Sequence, residues 1–475
     1  MKDNFEWDED EGREEEDDTL GLIDKFEKML ADEDIFFFDV EELEIIIDFY
    51  LDIQNTALAA SALDFATTQY PSSISLRIRE ARILAYDNHH YEALELLTKI
   101  EHIEQVDEET LITKGEIYSL MNKHDLAIEE YKKALAMSDQ PDELYVTIAF
   151  EYESINDYSN AILNLKRAID INSGSNSLIH EIAFFYEMTG KEEEGVEFFT
   201  EFLNKEPYSK EAWFNLGIFY NSLELYEKAV ESYEFAIAID EEFSTAYFNL
   251  ANSYSNLNQY NKAIECYEET FKLEPEDAIT HYYIGESYEN LNDYGKALTH
   301  YNQAIDIDPK FAEAYVGVSR IFTKDGKIET AIKYIKEAIN ISPKNAEFKY
   351  ELGVLYLKTN QFDKAKKQFG DIVKHNEKFV AAWLNYSLCY ERKDNIEEAI
   401  IVIEQAIEKN NEDAALWFRL AGYLYKSGMI RQAYVFIEKA LSMDFNGYKD
   451  LLSYFPELEL ESRFIELLEI YNKTE

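Results

Sequence analysis

Apolar residues recur along this chain with two superposed periods. The shorter one is visible in "EAWFNLGIFYNSLELYEKAVESYEFAIAID", Glu211 to Asp240, where they fall three and four residues apart, the spacing of amphipathic helices. The longer one is 34 residues: Trp213, Leu216, Gly217 and Tyr220 recur as Tyr247, Leu250, Ala251 and Tyr254. Blocks that begin at Val40, Ile74, Glu108, Asp142, Asn176, Lys210, Ser244, Ala278, Ala312, Ala346, Val380 and Ala414 hold this frame without an insertion or deletion. Twelve of them reach from Val40 to Gly447.

Within a block the fourth, seventh, eighth and eleventh positions share one face of a helix, because each residue turns the helix by about 100°. The eleventh position is Tyr or Phe in ten blocks, and Leu84 or Leu424 in the other two. The twentieth is Ala in eleven blocks, from Ala59 to Ala433, and Gly195 in the remaining one, so a second helix can approach the first closely. A single hairpin of this kind cannot hide both of its apolar faces, so neighbours must stack and complete one another's core. With 7 Pro and 16 Gly in 475 residues, little interrupts helix, and the expected class is all-α.

The 34-residue length, the W-x-x-L-G-x-x-Y…A spacing and the block-ending Pro207, Pro275, Pro309 and Pro343 resemble the tetratricopeptide repeat, a helix–turn–helix unit. Glu241, Glu377 and Asn411 stand where other blocks carry that Pro. The resemblance implies a right-handed superhelical solenoid of about twelve repeats, with the first helix of each lining a concave surface. It also implies a protein that binds protein or peptide segments without catalysing a reaction.

Outside residues 40–447 the frame lapses. Residues 1–18 form an acidic run expected to be disordered. In residues 19–39, Leu20, Ile23, Phe26 and Leu30 fall at helical spacing, as a helix covering the first repeat would require. Residues 448–475 keep Phe464, Leu467, Leu468 and Tyr471 on one stripe and are expected to cap the other end.

Net charge sharpens the choice of partner. The chain carries 96 acidic and 45 basic residues, a net −51, so it offers no basic footprint for phosphate backbones and would be repelled by an anionic membrane. The excess suits a basic partner, or is simply a solvated surface. No apolar run approaches a membrane span, and the N-terminal residues lack the pattern of a secretory signal. Cys266 and Cys389 are unpaired in spacing and read as reduced packing thiols, which together place the protein in the cytoplasm.

Candidate chemistry is sparse. There is no Gly-rich phosphate loop, and the eight His are scattered without metal-ligand spacing on one helix face. Neither cofactor, metal nor catalytic residue is expected.

The second, fifth, sixth, ninth, twelfth and thirteenth positions face away from the packing stripe. There the sequence places Phe150, Phe184, Phe214, Asn215, Phe248, Asn249, Asn252, Tyr282, Tyr283, Glu286, Asn385 and Phe418. The rings either form a contact surface or pack between adjacent first helices. Asn215, Asn249 and Asn385 have amides able to hold a peptide backbone, a partial ladder that resembles the one lining the repeats of the O-linked N-acetylglucosamine transferase family. At the thirteenth position Lys324, Lys358, Arg392 and Lys426 make a basic stripe, which either complements helix C-termini or forms a track for an acidic segment. The Lys and Asn of the family's carboxylate clamp are missing, with Phe248 and Asn252 the nearest pair, which disfavours the C-terminal tails of heat-shock chaperones. The expected role is a scaffold or adaptor for an extended segment on the concave face. The alternative is a sensor whose superhelix responds to a short peptide.

Overall fold

The computed structural model describes residues 7–31, 36–103, 107–172 and 176–472, with backbone alone for 7–18 and 176. It divides into two compact units, residues 1–241 and 242–475. All regular structure among the described residues is helical.

In the first unit α1 (Trp7–Leu30) precedes six hairpins. These pair α2 (Val40–Asp52) with α3 (Thr56–Gln69), α4 (Ile74–Tyr86) with α5 (His90–Ile103), and α6 (Glu108–Leu120) with α7 (His124–Leu135). They continue with α8 (Pro141–Ser154) and α9 (Tyr158–Ile171), α10 (Asn176–Thr189) and α11 (Glu192–Lys205), and α12 (Lys210–Ser222) and α13 (Tyr226–Ile239). Each second helix also packs on the next first helix within the unit, so the hairpins form one continuous stack.

The second unit repeats the scheme. Its hairpins are α14 (Ser244–Asn256) and α15 (Tyr260–Leu273), α16 (Ala278–Asn290) and α17 (Tyr294–Ile307), and α18 (Ala312–Lys324) and α19 (Ile328–Ile341). Then come α20 (Ala346–Lys358) and α21 (Phe362–His375), α22 (Val380–Glu391) and α23 (Ile396–Lys409), and α24 (Ala414–Lys426) and α25 (Ile430–Met443). Two further helices follow, α26 (Tyr448–Tyr454) and α27 (Ser462–Tyr471), joined by a 3-10 turn at Pro456–Leu460.

The twentieth position explains the close approach within each hairpin. All eleven Ala there, from Ala59 to Ala433, are fully buried. Gly195 departs from Ala because the Phe219 ring of the next repeat lies 2.9 Å from where a Cβ would stand.

A second contact couples the eighth position to the twenty-fourth. Where the eighth is Gly, an aromatic ring from the second helix fills the space: Tyr131 against Gly115, Tyr233 against Gly217, Tyr301 against Gly285 and Phe369 against Gly353. Where the eighth is Ala81, Ala149, Ser319, Ser387 or Ala421, the residue opposite in the frame is Leu97, Leu165, Ile335, Ile403 or Ile437. Ala183 and Ala251 face the larger Phe199 and Tyr267, so this exchange of volume across the hairpin holds in nine of the eleven blocks from the second on.

The turn between paired helices is equally regular. Its fifteenth position has φ between 54° and 85° in all twelve blocks, occupied by six Asn, three Gly, Asp394, Gln54 and Glu224. The next residue donates its N–H to the carbonyl of the eleventh, as from Asn55 to Tyr50 at 2.8 Å and from Leu225 to Tyr220 at 2.8 Å. That left-handed residue and its paired bonds satisfy carbonyls the helix end would otherwise leave open. Trp213, Trp383 and Trp417 fix the entry to their helices, each indole Nε1 donating to the carbonyl six residues earlier at 2.9–3.0 Å.

The ends differ in part from expectation. Helix α1 already begins at Trp7, inside the acidic run assigned to a disordered arm, and residues 1–6 of that run lie outside the described residues. Ile23 and Phe26 are buried against Phe38, Tyr50 and Phe65, whereas Leu20 and Leu30 remain exposed, so only half of the apolar stripe covers the first repeat. At the other end α26 lies on α24, where Phe455 fills the space above Gly422, and Phe464 and Leu467 of α27 are buried.

The glycine–ring pairing is directly testable. A Cβ at Gly217 would sit 2.5 Å from the Tyr233 ring. Gly217→Ala should therefore destabilise the protein by about 1–3 kcal/mol despite the higher helix propensity of Ala. Gly217→Ala with Tyr233→Leu, which recreates the Ala–Leu pairing of blocks two and four, should recover part of that loss. Denaturant unfolding of the single and double variants checks the sign of the coupling.

The first-helix face as candidate site

In each unit the side of the first helices opposite the packing stripe is the candidate face. Its chemistry changes along the chain.

At the start of the first unit it is closed by charge. Arg79 on α4 reaches Asp48 at 2.6 Å, Glu109 at 3.1 Å and Glu44 at 3.6 Å, while Arg82 reaches Asp48 at 2.9 Å and Glu116 at 3.5 Å. Two arginines thereby tie α2, α4 and α6 together across this face. Burial raises the Glu109 and Glu116 carboxyls above their ordinary value, and the neighbouring arginines only partly offset it. None of these residues is singled out by the sequence pattern, although Arg82 is the cation that interrupts an otherwise acidic ninth position, Asp48 and Glu116, in the first three blocks.

Further along the same unit Phe150 and Phe184 occupy the ninth position of consecutive blocks and are 38% and 43% exposed. Phe214 and Asn215, expected beside them, are instead buried. The Phe214 ring meets Tyr233 at 5.8 Å, and the Asn215 amide donates to the Glu211 carbonyl at 2.8 Å and lies 3.3 Å from His180 Nδ1. Both belong to the packing of α12, which removes Asn215 from any open ladder.

In the second unit the predicted residues form two connected groups. Phe248 is half-buried, with ring edges toward Tyr267 at 5.5 Å and Tyr283 at 5.7 Å, and Asn252 accepts the Tyr267 hydroxyl proton at 2.5 Å. Asn249 donates to its own helix at Thr245, 2.9 Å away, and Asn385 donates to the Tyr350 hydroxyl at 2.9 Å. Each ladder amide therefore already spends one donor within the protein. Tyr282 donates to Glu286 at 2.6 Å, and Glu286 in turn accepts from Arg320 at 3.2 Å.

That arginine belongs to a buried network. Glu289 accepts from Tyr301 at 2.8 Å and Arg320 at 3.2 Å, and pairs with Lys324 at 3.0 Å. Burial would raise the Glu289 carboxyl, but Arg320, Tyr301 and Lys324 outweigh it and hold it below its ordinary value. Beside this network Arg320, Lys324, Tyr350, Glu351, Val354 and Lys358 line a cleft of about 330 Å³ between α18 and α20.

The basic stripe is largely neutralised from within. Lys324 pairs with Glu289, Lys426 with Glu391, and Arg392 lies 3.6 Å from Glu391. For Lys324 and Lys426 the partner is the twelfth residue of the preceding block, a Glu. At Lys358 that residue is Thr323, and among the described residues no ion pair reaches Lys358. Farther on, Phe418 is only 2% exposed, and Arg419 lies 3.7 Å from the Tyr454 ring centroid, so the chain's own α26 covers the face of α24.

The histidines are less scattered than their spacing suggests. His281 and His300, on α16 and α17, bring their Nδ1 atoms to 3.1 Å, with Glu276 at 3.1 Å from His281 Nε2. Burial and then His281 depress His300 to about 4. No cluster of three or more potential metal ligands occurs among the described residues. Nor is any helix among them long and apolar enough to cross a membrane.

Models of the tetratricopeptide repeat match residues 108–141, 142–174, 211–243, 248–310, 291–346, 322–384 and 380–423. Among solved structures, the APC/C hetero-tetramer Cut9-Hcn1 is similar at 15% identity, covering 83% of this chain and 90% of that one with a TM-score of 0.40. The C-terminal part of a TPR repeat-containing protein from Cytophaga hutchinsonii is similar at 20% identity, covering 54% and 99% with a TM-score of 0.42. YrrB, described as a TPR protein with an unusual peptide-binding site, is similar at 20% identity over 39% of this chain and 95% of its own, with a TM-score of 0.31. No curated protein matches the sequence.

The arginine network generates a pH-dependent prediction. Arg79→Ala removes a buried cation from among Glu44, Asp48 and Glu109 and should cost the N-terminal repeats about 3 kcal/mol at neutral pH. Carboxyls raised by burial bind their protons more tightly folded than unfolded, so acidification through their folded pKa favours the folded state. The penalty of Arg79→Ala should therefore shrink as pH falls. Hydrogen exchange of α2, α4 and α6 at neutral and mildly acidic pH reads both quantities.

Proposed function

We infer the function from one premise: the chain belongs to the tetratricopeptide repeat family, a class of typically non-catalytic scaffolds for protein–protein interaction. We propose that this protein is such a scaffold, without catalysis or cofactor, and that it holds an extended polypeptide segment along the face of its first helices, the concave face of the family's fold. The observation that carries the reading is the division of labour inside each repeat. The eighth and twentieth positions are buried in all twelve blocks by packing, whereas Phe150 and Phe184 on the other side stay exposed.

Several features support a polypeptide over other occupants. A net charge of −51 opposes nucleic acid and anionic membrane alike. Peptide capture needs scattered polar donors beside apolar anchors, which Asn249, Asn252 and the rings around them supply. Heat-shock chaperone tails are disfavoured, since Phe248 stands where their carboxylate clamp needs Lys. Two thiols without a disulfide, Cys266 and Cys389, favour a cytoplasmic setting.

The test compares two surfaces. Phe184→Ala with Asn249→Ala on first helices, and Leu163→Ala with Val435→Ala on second helices, should leave helicity similar. Interaction partners captured by the unmodified protein and identified by mass spectrometry should be lost from the first pair and retained by the second. Equal retention by both would contradict the assignment of the first-helix face.

A further inference from the structure

The first-helix face of the first unit differs from that of the second in a way that specifies its occupant. In blocks three to five the second, fifth, sixth, ninth, twelfth and thirteenth positions include six Glu and neither Lys nor Arg. Glu109 and Glu116 are engaged by Arg79 and Arg82. For Glu143, Glu153, Glu181 and Glu187 there is no ion pair among the described residues. Burial and then Glu192 raise the Glu187 carboxyl above its ordinary value, the direction expected where negative charge lacks a counter-ion.

Apolar side chains are exposed among these carboxylates. Phe150 and Phe184 hold the same register on α8 and α10, and Leu120 and Met188 are 46% and 51% exposed at the thirteenth position of blocks three and five. Carboxylates with no cation to balance them, interleaved with uncovered rings, leave both a charge and an apolar area unsatisfied. One ligand class answers both: a chain segment with Lys or Arg on one side and apolar anchors on the other.

We propose that the face of α6, α8 and α10 binds a cationic amphipathic segment of a partner protein. Apolar anchors seat on Phe150 and Phe184, and Lys or Arg meet Glu143, Glu153, Glu181 and Glu187. The proposal rests on the first-helix reading above and adds the chemistry of what is held there. Aromatic anchors carry most of the affinity in such interfaces, while the charges set specificity and on-rate.

Three synthetic peptides test it: one with Lys at polar and Leu at apolar positions of a helical pattern, its Glu-for-Lys counterpart, and its Ser-for-Leu counterpart. Binding is followed by fluorescence anisotropy at low and physiological salt. The Lys–Leu peptide should bind, the Glu–Leu peptide should not, and the Lys–Ser peptide should bind weakly and lose that binding with salt. Phe150→Ser with Phe184→Ser should weaken the Lys–Leu peptide by about tenfold or more, whereas Leu163→Ser on α9 should not. Circular dichroism checks that both variants keep their helix.

Binding of the Glu–Leu peptide at Phe150 and Phe184 would overturn the cationic occupant and leave the first-helix reading standing. Binding of every peptide unaffected by the double variant, or no binding at all, would overturn both for this unit.

Discussion

One contact repeats through both units and makes the rest of the architecture possible: a small residue at the eighth position of each first helix from the second block on, meeting a large one at the twenty-fourth. Helices can lie this close only if one side gives up its side chain, and the ring or aliphatic group opposite then fills the vacated space. Gly217 with Tyr233 and Ala149 with Leu165 are two solutions of the same volume equation. With that contact made inside the hairpin, its remaining apolar stripe is free to cover its neighbour. On the opposite side of the first helices some positions are taken up by packing or ion pairs, while Phe150 and Phe184 stay exposed.

That constraint also explains what could be read from the sequence. The 34-residue frame, the small twentieth position and the mostly aromatic eleventh position are legible because each recurs in register, and recurrence separates a rule from an accident. The turn is just as regular, with a left-handed residue at every fifteenth position, yet the sequence hides it because Asn, Gly, Asp, Gln and Glu fill the same backbone role. Gly195 fits the small-residue rule, but the reason for Gly over Ala lies outside its own hairpin. It is the place where Phe219 of the next repeat needs the room, a contact 24 residues away that no local pattern displays.

The open face was legible only in outline. Phe150 and Phe184 stand exposed on the side that helical angle gives them. The same angle failed for Phe214, Asn215 and Phe418, because their burial depends on what the next helix or the C-terminal segment brings over them. Charge behaved likewise. Lys324 and Lys426 read as a free stripe until the twelfth residue of the preceding block, Glu289 or Glu391, was found within reach. An ion pair across repeats needs both the frame and the tilt of the helices, and the sequence displays only the frame.

The account therefore turns on which rings the stack consumes and which it leaves over. Hydroxyl-radical footprinting of the free protein, with oxidation of individual rings quantified by mass spectrometry, measures this directly. Rapid labelling of Phe150 and Phe184 beside protection of the fully buried Phe199 and Phe219 is the predicted result. Protection of all four rings, or labelling of Phe199 and Phe219 as fast as Phe150, would contradict it.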